Sequence, residues 1–598
     1  MSDENRLLVQ EINNLRTDPK KYAEKINADS TLYVANLRDA ETEDIYVCNG
    51  SESGSVWWHP TFVYHGGRYV QITGMKDITE NDIKVYVVSD EMDEIGTFTS
   101  SNDVLNRLYK AAWWGIKTNY HGFPTDCPQR NERQPWLGDR TMGALGESYL
   151  FDNNQMYTRW MRDICDAQRY DGAINDVSPS FWNYYNDDVT WPACLPFTCD
   201  MLYKQFGNDE AIRNSYPYIK KWVEHICNTY MKDGIIDRDK YGDWCMPPEK
   251  PELIHSEDPA RKTEGALLST AYMIKVLQLM NEFAEIQGLA DDASNYIRRA
   301  NDMTDAFNKK WLTEKHGTSP EAGHPLYPDS VYYGNNTATS NIVALAFDLV
   351  PDHCRQSVID NVVENIIVKN NGHVSCGVIG ISHLMHTLTK YGYGDVAYLL
   401  ATNTTYPSWG YMLDKGATTI WELWNGDTAN PAMNSGNHVM LLGDLLTWMY
   451  QDLAGIKNAV GSTGFKQLIM NPDFSIQDLD SINCTYRTPL GIVKSYWKKS
   501  LEELHWEITL PESMTANAVL PDGTIRKITS GTTIINTKMP FSNGMDKSST
   551  ANNSKGWSIT DDEFIYDHSI YPETHSASIV ELHDGTLLAT YCIRLLRR

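Results

Sequence analysis

The chain has 598 residues, with 52 Lys and Arg against 78 Asp and Glu, a formal charge of −26. Hydrophobic residues are 41% and charged residues 22%, which excludes a disordered chain. No apolar run approaches the roughly 18 residues of a membrane helix. The acidic balance argues against nucleic acid or an anionic membrane as partner.

Residues 1–30 read as one helix, with Leu7, Leu8, Ile12 and Leu15 on one face and Pro19 interrupting it. The stretch Met1 to Lys25 is polar and lacks the apolar core of a signal peptide, so a cytoplasmic protein is expected. From 31 to 98 short β-like runs take over: Ile45–Val47, Phe62–Tyr64, Tyr69–Ile72 and Val85–Val88, separated by glycines. Residues 99–455 are mostly helical. Ala266 to Ile286 is one clear helix, with Lys275, Gln278, Glu282 and Glu285 as its polar stripe and Gly288 past its end. Another runs from about His438 to Leu453 and stops at Gly455. At roughly 30 residues per helix and loop, this segment holds about 12 helices, which suits an (α/α)6 toroid and other helical folds alike.

Residues 456–540 turn β again. Trp506, Ile508 and Leu510 alternate with polar neighbours, and Pro521-Asp522-Gly523 marks a tight turn. Residues 541–560 have linker composition. Within 561–598 lies one more β-like unit, Ser578 to Tyr591, with Asp584-Gly585 as its turn. The 11 cysteines are odd in number and lack zinc spacing, so reduced structural thiols are expected. Eighteen Trp and 34 Tyr stand against 14 Phe. Rings with a polar edge suit a sugar-binding cleft, and core packing uses them equally well.

Chemistry concentrates in two stretches. Thr125 to Asp139 holds three carboxylates, two arginines and a Trp, and Pro128, Pro135 and Gly138 keep it from being helix or strand. A solvated charged loop is the ordinary reading of such a run. Cys127, Pro128 and Trp136 point instead to partial burial, where carboxyls become candidates for acid–base work. The second stretch, Gly416 to Asn425, sets Glu422 between Trp421 and Trp424 behind Ile420, an apolar setting that is costly for a charge without partner or role. Trp182, Trp191, the turn Tyr241-Gly242-Asp243-Trp244 and His438 are further candidates, each also at home in a core.

The stretch Asp126 to Asp139 resembles the signature loop of bacterial α-L-rhamnosidases, glycoside hydrolase family 78. The resemblance continues through Trp191, Tyr241–Trp244, Pro407–Tyr411, Gly416–Trp424 and Asn437-His438, over about residues 40 to 535. It implies a mainly α catalytic domain, an (α/α)6 barrel over 99–455. A partial N-terminal β-sandwich over 31–98 and a C-terminal β-sandwich over 456–540 would flank it. Residues 563–591 resemble the opening blade of a sialidase-type β-propeller, too little to close one.

The resemblance further implies inverting hydrolysis of terminal α-L-rhamnosides. Glu132 would be general acid and Glu422 general base, and Asp126, Arg130, Trp136, Asp139, Trp191, Trp244 and His438 would bind the sugar. Asn131, Pro135, Leu137 and Leu423 depart from the family pattern without touching the proposed acid or base. The expected partner is a rhamnose-containing glycoside or oligosaccharide, and no metal or organic cofactor is needed. Two rivals stand beside this reading: another (α/α)6 glycosidase acting on a different sugar, and a carbohydrate-binding protein without turnover.

Overall fold

Apolar residues recurring every three to four positions give each helix a stripe that must be covered by a neighbour. In the computed structural model of the protein this need closes a ring. The structure describes residues 6–11, 32–47, 56–75, 77–179, 182–315, 330–539, 573–581 and 587–594. In chain order the helices are α1 (Asp103–Thr118), α2 (Leu137–Glu147), α3 (Asn154–Asp166), α4 (Cys194–Phe206), α5 (Glu210–Tyr230), α6 (Gly265–Ile286), α7 (Ala290–Trp311), α8 (Ala338–Ala346), α9 (Arg355–Glu364), α10 (Val378–Lys390), α11 (Gly394–Thr402), α12 (Trp409–Asp414) and α13 (Leu445–Trp448). Helices α2, α4, α6, α8, α10 and α13 touch in succession, and α13 returns to α2. The helices between them pack outside, so the domain is an (α/α)6 barrel.

Burial distinguishes the two rings. Inner α6 buries 15 of its 22 residues, and the polar stripe expected from the sequence stays out of the core. Outer α7, of equal length, buries six, among them Tyr296, Ala300, Met303 and Phe307 on one face. Gly288 ends α6 with φ +73°, a left-handed conformation that suits glycine. The single helix expected from His438 to Leu453 is broken. A 3-10 turn Met440–Leu442 comes first, then α13, then a π-turn Met449–Leu453. Gly443 causes the break: its φ is +51°, and a Cβ there would lie 2.3 Å from the Ile381 carbonyl oxygen.

Seven strands form a mixed sheet against the barrel: β1 (Gly96–Ser100), β2 (Ile456–Asn458), β3 (Gln467–Met470), β4 (Ser481–Thr488), β5 (Gly491–Lys499), β6 (Glu503–Val519) and β7 (Ile525–Lys538), in the order β1-β4-β5-β6-β3-β2, with β7 also on β6. A register shift between Leu510 and Thr515 divides β6. Its first half pairs with β5 and its second half, in parallel, with β3. Trp506, Ile508 and Leu510 point inward, as their alternation requires. The Trp497 indole donates to the Leu453 carbonyl at 2.9 Å and ties the sheet to the last barrel turn. The Pro521-Asp522-Gly523 turn joins β6 to β7.

The N-terminal part differs from expectation. Arg6–Glu11 is a strand, not part of a helix, paired antiparallel with Tyr69–Thr73. The run Leu7-Leu8-Val9 fits a strand as well as a helix, and an available partner strand decides between them. The rest of the expected 1–30 helix lies outside the described residues. Of the four β-like runs, Tyr69–Ile72 is a strand; Ile45–Val47, Phe62–Tyr64 and Val85–Val88 are irregular chain with largely exposed apolar side chains. Strand-forming residues need a ladder partner, and those runs have none among the described residues. Strands Glu573–Glu581 and Leu587–Arg594 pair with each other, while Asp584-Gly585 lies outside the described residues. The nine cysteines from Cys127 to Cys484 are buried and free of disulfides. No described helix is long and apolar enough to cross a membrane.

Candidate active site

The Thr125–Asp139 loop closes on itself. Asp126 N–H donates to the Gln134 carbonyl at 2.9 Å, and Gln134 N–H donates back to Asp126 Oδ1 at 2.7 Å. This pins the base of the loop and carries Arg130 and Glu132 on its tip. Arg133, at φ +47°, turns away from the tip. Its guanidinium donates to the carbonyls of Pro128 and Tyr64 and lies 4.1 Å over the Tyr64 ring. Arg133 therefore binds the loop to the N-terminal segment. Trp136 then caps α2 and Asp139 sits in its first turn. Gly138 is required by close approach: a Cβ there would lie 2.1 Å from the Trp191 ring. Trp191 in turn stacks on Tyr241 at 4.4 Å.

Glu422 is presented differently. Residues 420–438 double back, with His438 N–H donating to Ile420 O at 2.8 Å and Glu422 N–H to Ser435 O at 3.0 Å. Ser435 N–H donates to Glu422 Oε2 at 2.9 Å. Trp421 and Trp424 are buried on either side. The Trp244 turn is anchored by Asp243, whose carboxylate accepts from the backbone N–H groups of Gly377, Ile379 and Gly380 at the start of α10 and from Thr339.

These elements meet in one pocket of about 130 Å³. All nine residues that the family resemblance marks as catalytic or sugar-binding line it: Asp126, Arg130, Glu132, Trp136, Asp139, Trp191, Trp244, Glu422 and His438. Trp182 does not; it packs near Tyr184 instead. Arg38, Tyr241, Met433 and Met440 complete the lining. Tyr241 was within reach of sequence reasoning as part of the Tyr241–Trp244 turn. Arg38 and the two methionines carry no local signal.

Arg130 is the hub. Its Nη2 lies 2.7 Å from Glu132 Oε2 and 3.0 Å from Glu422 Oε2. The two nearest carboxylate oxygens are therefore no more than twice 3.0 Å apart. Arg38 adds a second guanidinium 2.6 Å from Glu132 Oε2, and the Trp136 indole donates to Oε1 at 3.0 Å. Burial pushes Glu422 above the usual carboxylate range, although Arg130 pulls the other way. Burial, reinforced by Glu132, lifts Asp126 to about 7. Asp139 is held well above the usual range by burial and by Asp126. His438 is kept neutral by burial and by Arg130 and Arg140. Its Nδ1 accepts the Met440 N–H, leaving the proton on Nε2, 3.8 Å from Asp139 Oδ2.

Two buried polar atoms in the pocket, Arg130 Nη1 and Asp139 Oδ2, have no hydrogen-bond partner among the described residues. Buried polar groups without partners are rare and costly, and ligand hydroxyls could supply a partner to each. Asp126, Cys127 and Glu132 bring ligand-type atoms within 4.8 Å of one another. The Arg130 guanidinium donates to both Cys127 and Glu132, which opposes a cation there.

The family model of the bacterial α-L-rhamnosidase six-hairpin glycosidase domain matches residues 93–453. The models of the concanavalin-like and C-terminal domains of the same enzymes match residues 20–89 and 455–534. An α-L-rhamnosidase of Formosa agariphila is 31% identical over 509 residues, 84% of this chain and 52% of the relative. The structure of an α-L-rhamnosidase from Dictyoglumus thermophilum aligns with a TM-score of 0.78 at 30% identity, covering 86% of this chain and 58% of that one. That of the Streptomyces avermitilis α-L-rhamnosidase, determined with L-rhamnose, aligns with a TM-score of 0.77 at 27% identity, covering 89% and 50%. The chain thus spans about half the length of the curated relatives it matches.

Proposed function

Because the chain belongs to the bacterial α-L-rhamnosidase family, we propose that it hydrolyses terminal α-L-rhamnosides at this pocket. The observation that carries the reading is the meeting of Glu132 and Glu422, from distant loops, across one Trp-lined pocket. Glycoside hydrolysis needs a carboxylic acid to protonate the leaving oxygen and a carboxylate on the other side of the sugar. Glu132 is the general acid in this proposal and Glu422 the general base. Asp126, Arg130, Asp139 and His438 take the sugar hydroxyls, and Arg130 Nη1 and Asp139 Oδ2 gain the partners they lack. Trp136, Trp191 and Trp244 face the apolar side of the ring, which in a 6-deoxy sugar includes a methyl group.

Inversion is the expected stereochemistry. It calls for a carboxyl separation of roughly 6.5–9.5 Å, with room for water. Arg130 bridges the two nearest oxygens, and the carboxyl groups as wholes stand further apart than those oxygens do. Retaining pairs stand closer, roughly 5–5.5 Å apart, and give the opposite first product. Release of nitrophenol from p-nitrophenyl α-L-rhamnoside, with the sugar followed by proton NMR, tests both. β-Rhamnose appearing first supports inversion, and α-rhamnose appearing first supports retention. No release from folded protein overturns the activity; sugar binding without turnover then favours a binding protein, and turnover of another glycoside a different specificity.

A further inference from the structure

Of the described residues lining the pocket, Arg38 alone comes from ahead of the barrel. It follows the 3-10 turn Ala35–Leu37, whose Asn36 and Leu37 are buried, and that turn packs against the Pro431–Met433 turn at the pocket rim. Its backbone has φ 59° and ψ −121°. Glycine adopts that conformation freely, whereas a residue with a Cβ is strained there. Strained residues persist where their surroundings fix them, and this one aims its guanidinium at Glu132 Oε2, 2.6 Å away.

Arg130 already provides a cation 2.7 Å from the same oxygen. A second guanidinium on Oε2 therefore does more than neutralise charge: it sets which oxygen faces which way. A proton on Oε2 would confront both cations, which leaves Oε1 as the oxygen to carry it. We propose that Arg38 is a positioning residue for Glu132, locking Oε2 so that Oε1 presents the proton to the glycosidic oxygen. This rests on the reading of Glu132 as general acid. In the step, the Oε1–H bond breaks and the proton goes to the leaving oxygen, which keeps the electron pair of the broken C1–O bond. Water supplies hydroxyl to the anomeric carbon and its proton to the base. The resulting Glu132 carboxylate is met by two guanidinium groups already in place.

Arg38→Gly removes the side chain while suiting the backbone, so its melting temperature should not fall. With an alkyl leaving group, such as a rhamnosyl disaccharide, kcat should drop roughly tenfold, a modest share of what general acid catalysis contributes. With p-nitrophenyl, which needs less proton donation, the loss should be several times smaller. KM should change little, and Arg38→Lys should recover part of kcat on the alkyl substrate. An equal loss on both leaving groups, no loss, or an effect confined to KM overturns the proposal. Glu132→Gln is measured beside it. If that variant shows no dependence on the leaving group, the acid assignment fails and this proposal with it. If it does and Arg38→Gly does not, only the role of Arg38 fails.

Discussion

The two central carboxylates are held in opposite ways. Every hydrogen bond or ion pair described for the Glu132 carboxylate comes from a side chain: Arg38, Arg130 and Trp136. Glu422 is fixed by a backbone N–H from Ser435, with Arg130 as its one charged partner among the described residues. The donors on Glu132 Oε2 are cations brought in by two separate side chains, whereas the donor on Glu422 belongs to the backbone of the turn that presents it. In the proposed reaction both groups exchange a proton: Glu132 gives one up beside cations that meet the charge it gains, and Glu422 takes one from water, which calls for a carboxylate oxygen of fixed direction. The difference agrees with the proposed division of labour.

Replacing the rigidly held carboxylate should have the largest effect. Glu422→Gln is expected to lower kcat by about a thousandfold on every rhamnoside, within the range that acid–base groups contribute; activity near normal on p-nitrophenyl rhamnoside would end its role. Glu132→Gln should be as severe for alkyl leaving groups and much milder for p-nitrophenyl. A uniform loss would erase the contrast between the two residues. Arg130→Met should leave two carboxylates facing each other in a buried site, costing about 3–5 kcal/mol in chemical denaturation as other broken buried pairs do; unchanged stability would mean that the ion pairs are not formed in solution. Trp136→Phe removes one donor from Glu132 Oε1 and should cost kcat roughly tenfold or less. If it matched Glu132→Gln, the indole would have a role beyond holding the acid.

The smallest effect is on stability against pH. Burial pushes Asp126, Asp176, Asp239 and Asp444 each to about 7, whereas unfolded Asp ionises near 3.9. Between those values the native state holds protons that the unfolded chain has lost, so stability should decline as pH rises from about 4 to about 7. Calorimetry should find the melting temperature a few degrees lower at the top of that window. A rising melting temperature would contradict the burial of these carboxyls.

The sequence revealed what its local chemistry concentrates. Asp126 to Asp139 packs charge, Trp and helix breakers into one loop, and Glu422 stands out because its neighbours are apolar. Inner helix α6 was legible because its long apolar run is bounded by Gly288. Arg38 was invisible: one arginine in an irregular segment looks like solvent-exposed charge until the pocket is built around it. The break at Gly443 was hidden for the same reason, since the obstacle is a carbonyl of Ile381 on another helix. Ser435 acts through its backbone N–H, which no side-chain pattern marks. The runs Ile45–Val47 and Val85–Val88 show the reverse failure, where strand propensity without a partner produces no strand.

The sheet also has a consequence for how the protein is made. Strand β1 leaves the ribosome before the barrel, yet it pairs with β4, which follows the barrel; Thr99 and Asn483, bonded across that seam, are 384 residues apart. At translation rates of roughly 5–20 residues per second, β1 waits on the order of tens of seconds for its partner. Through that interval Phe98, buried in the finished protein, has no sheet to cover it, and the strand's edge is open to other chains. Nascent-chain aggregation, rather than instability of the finished fold, is where this architecture is most exposed.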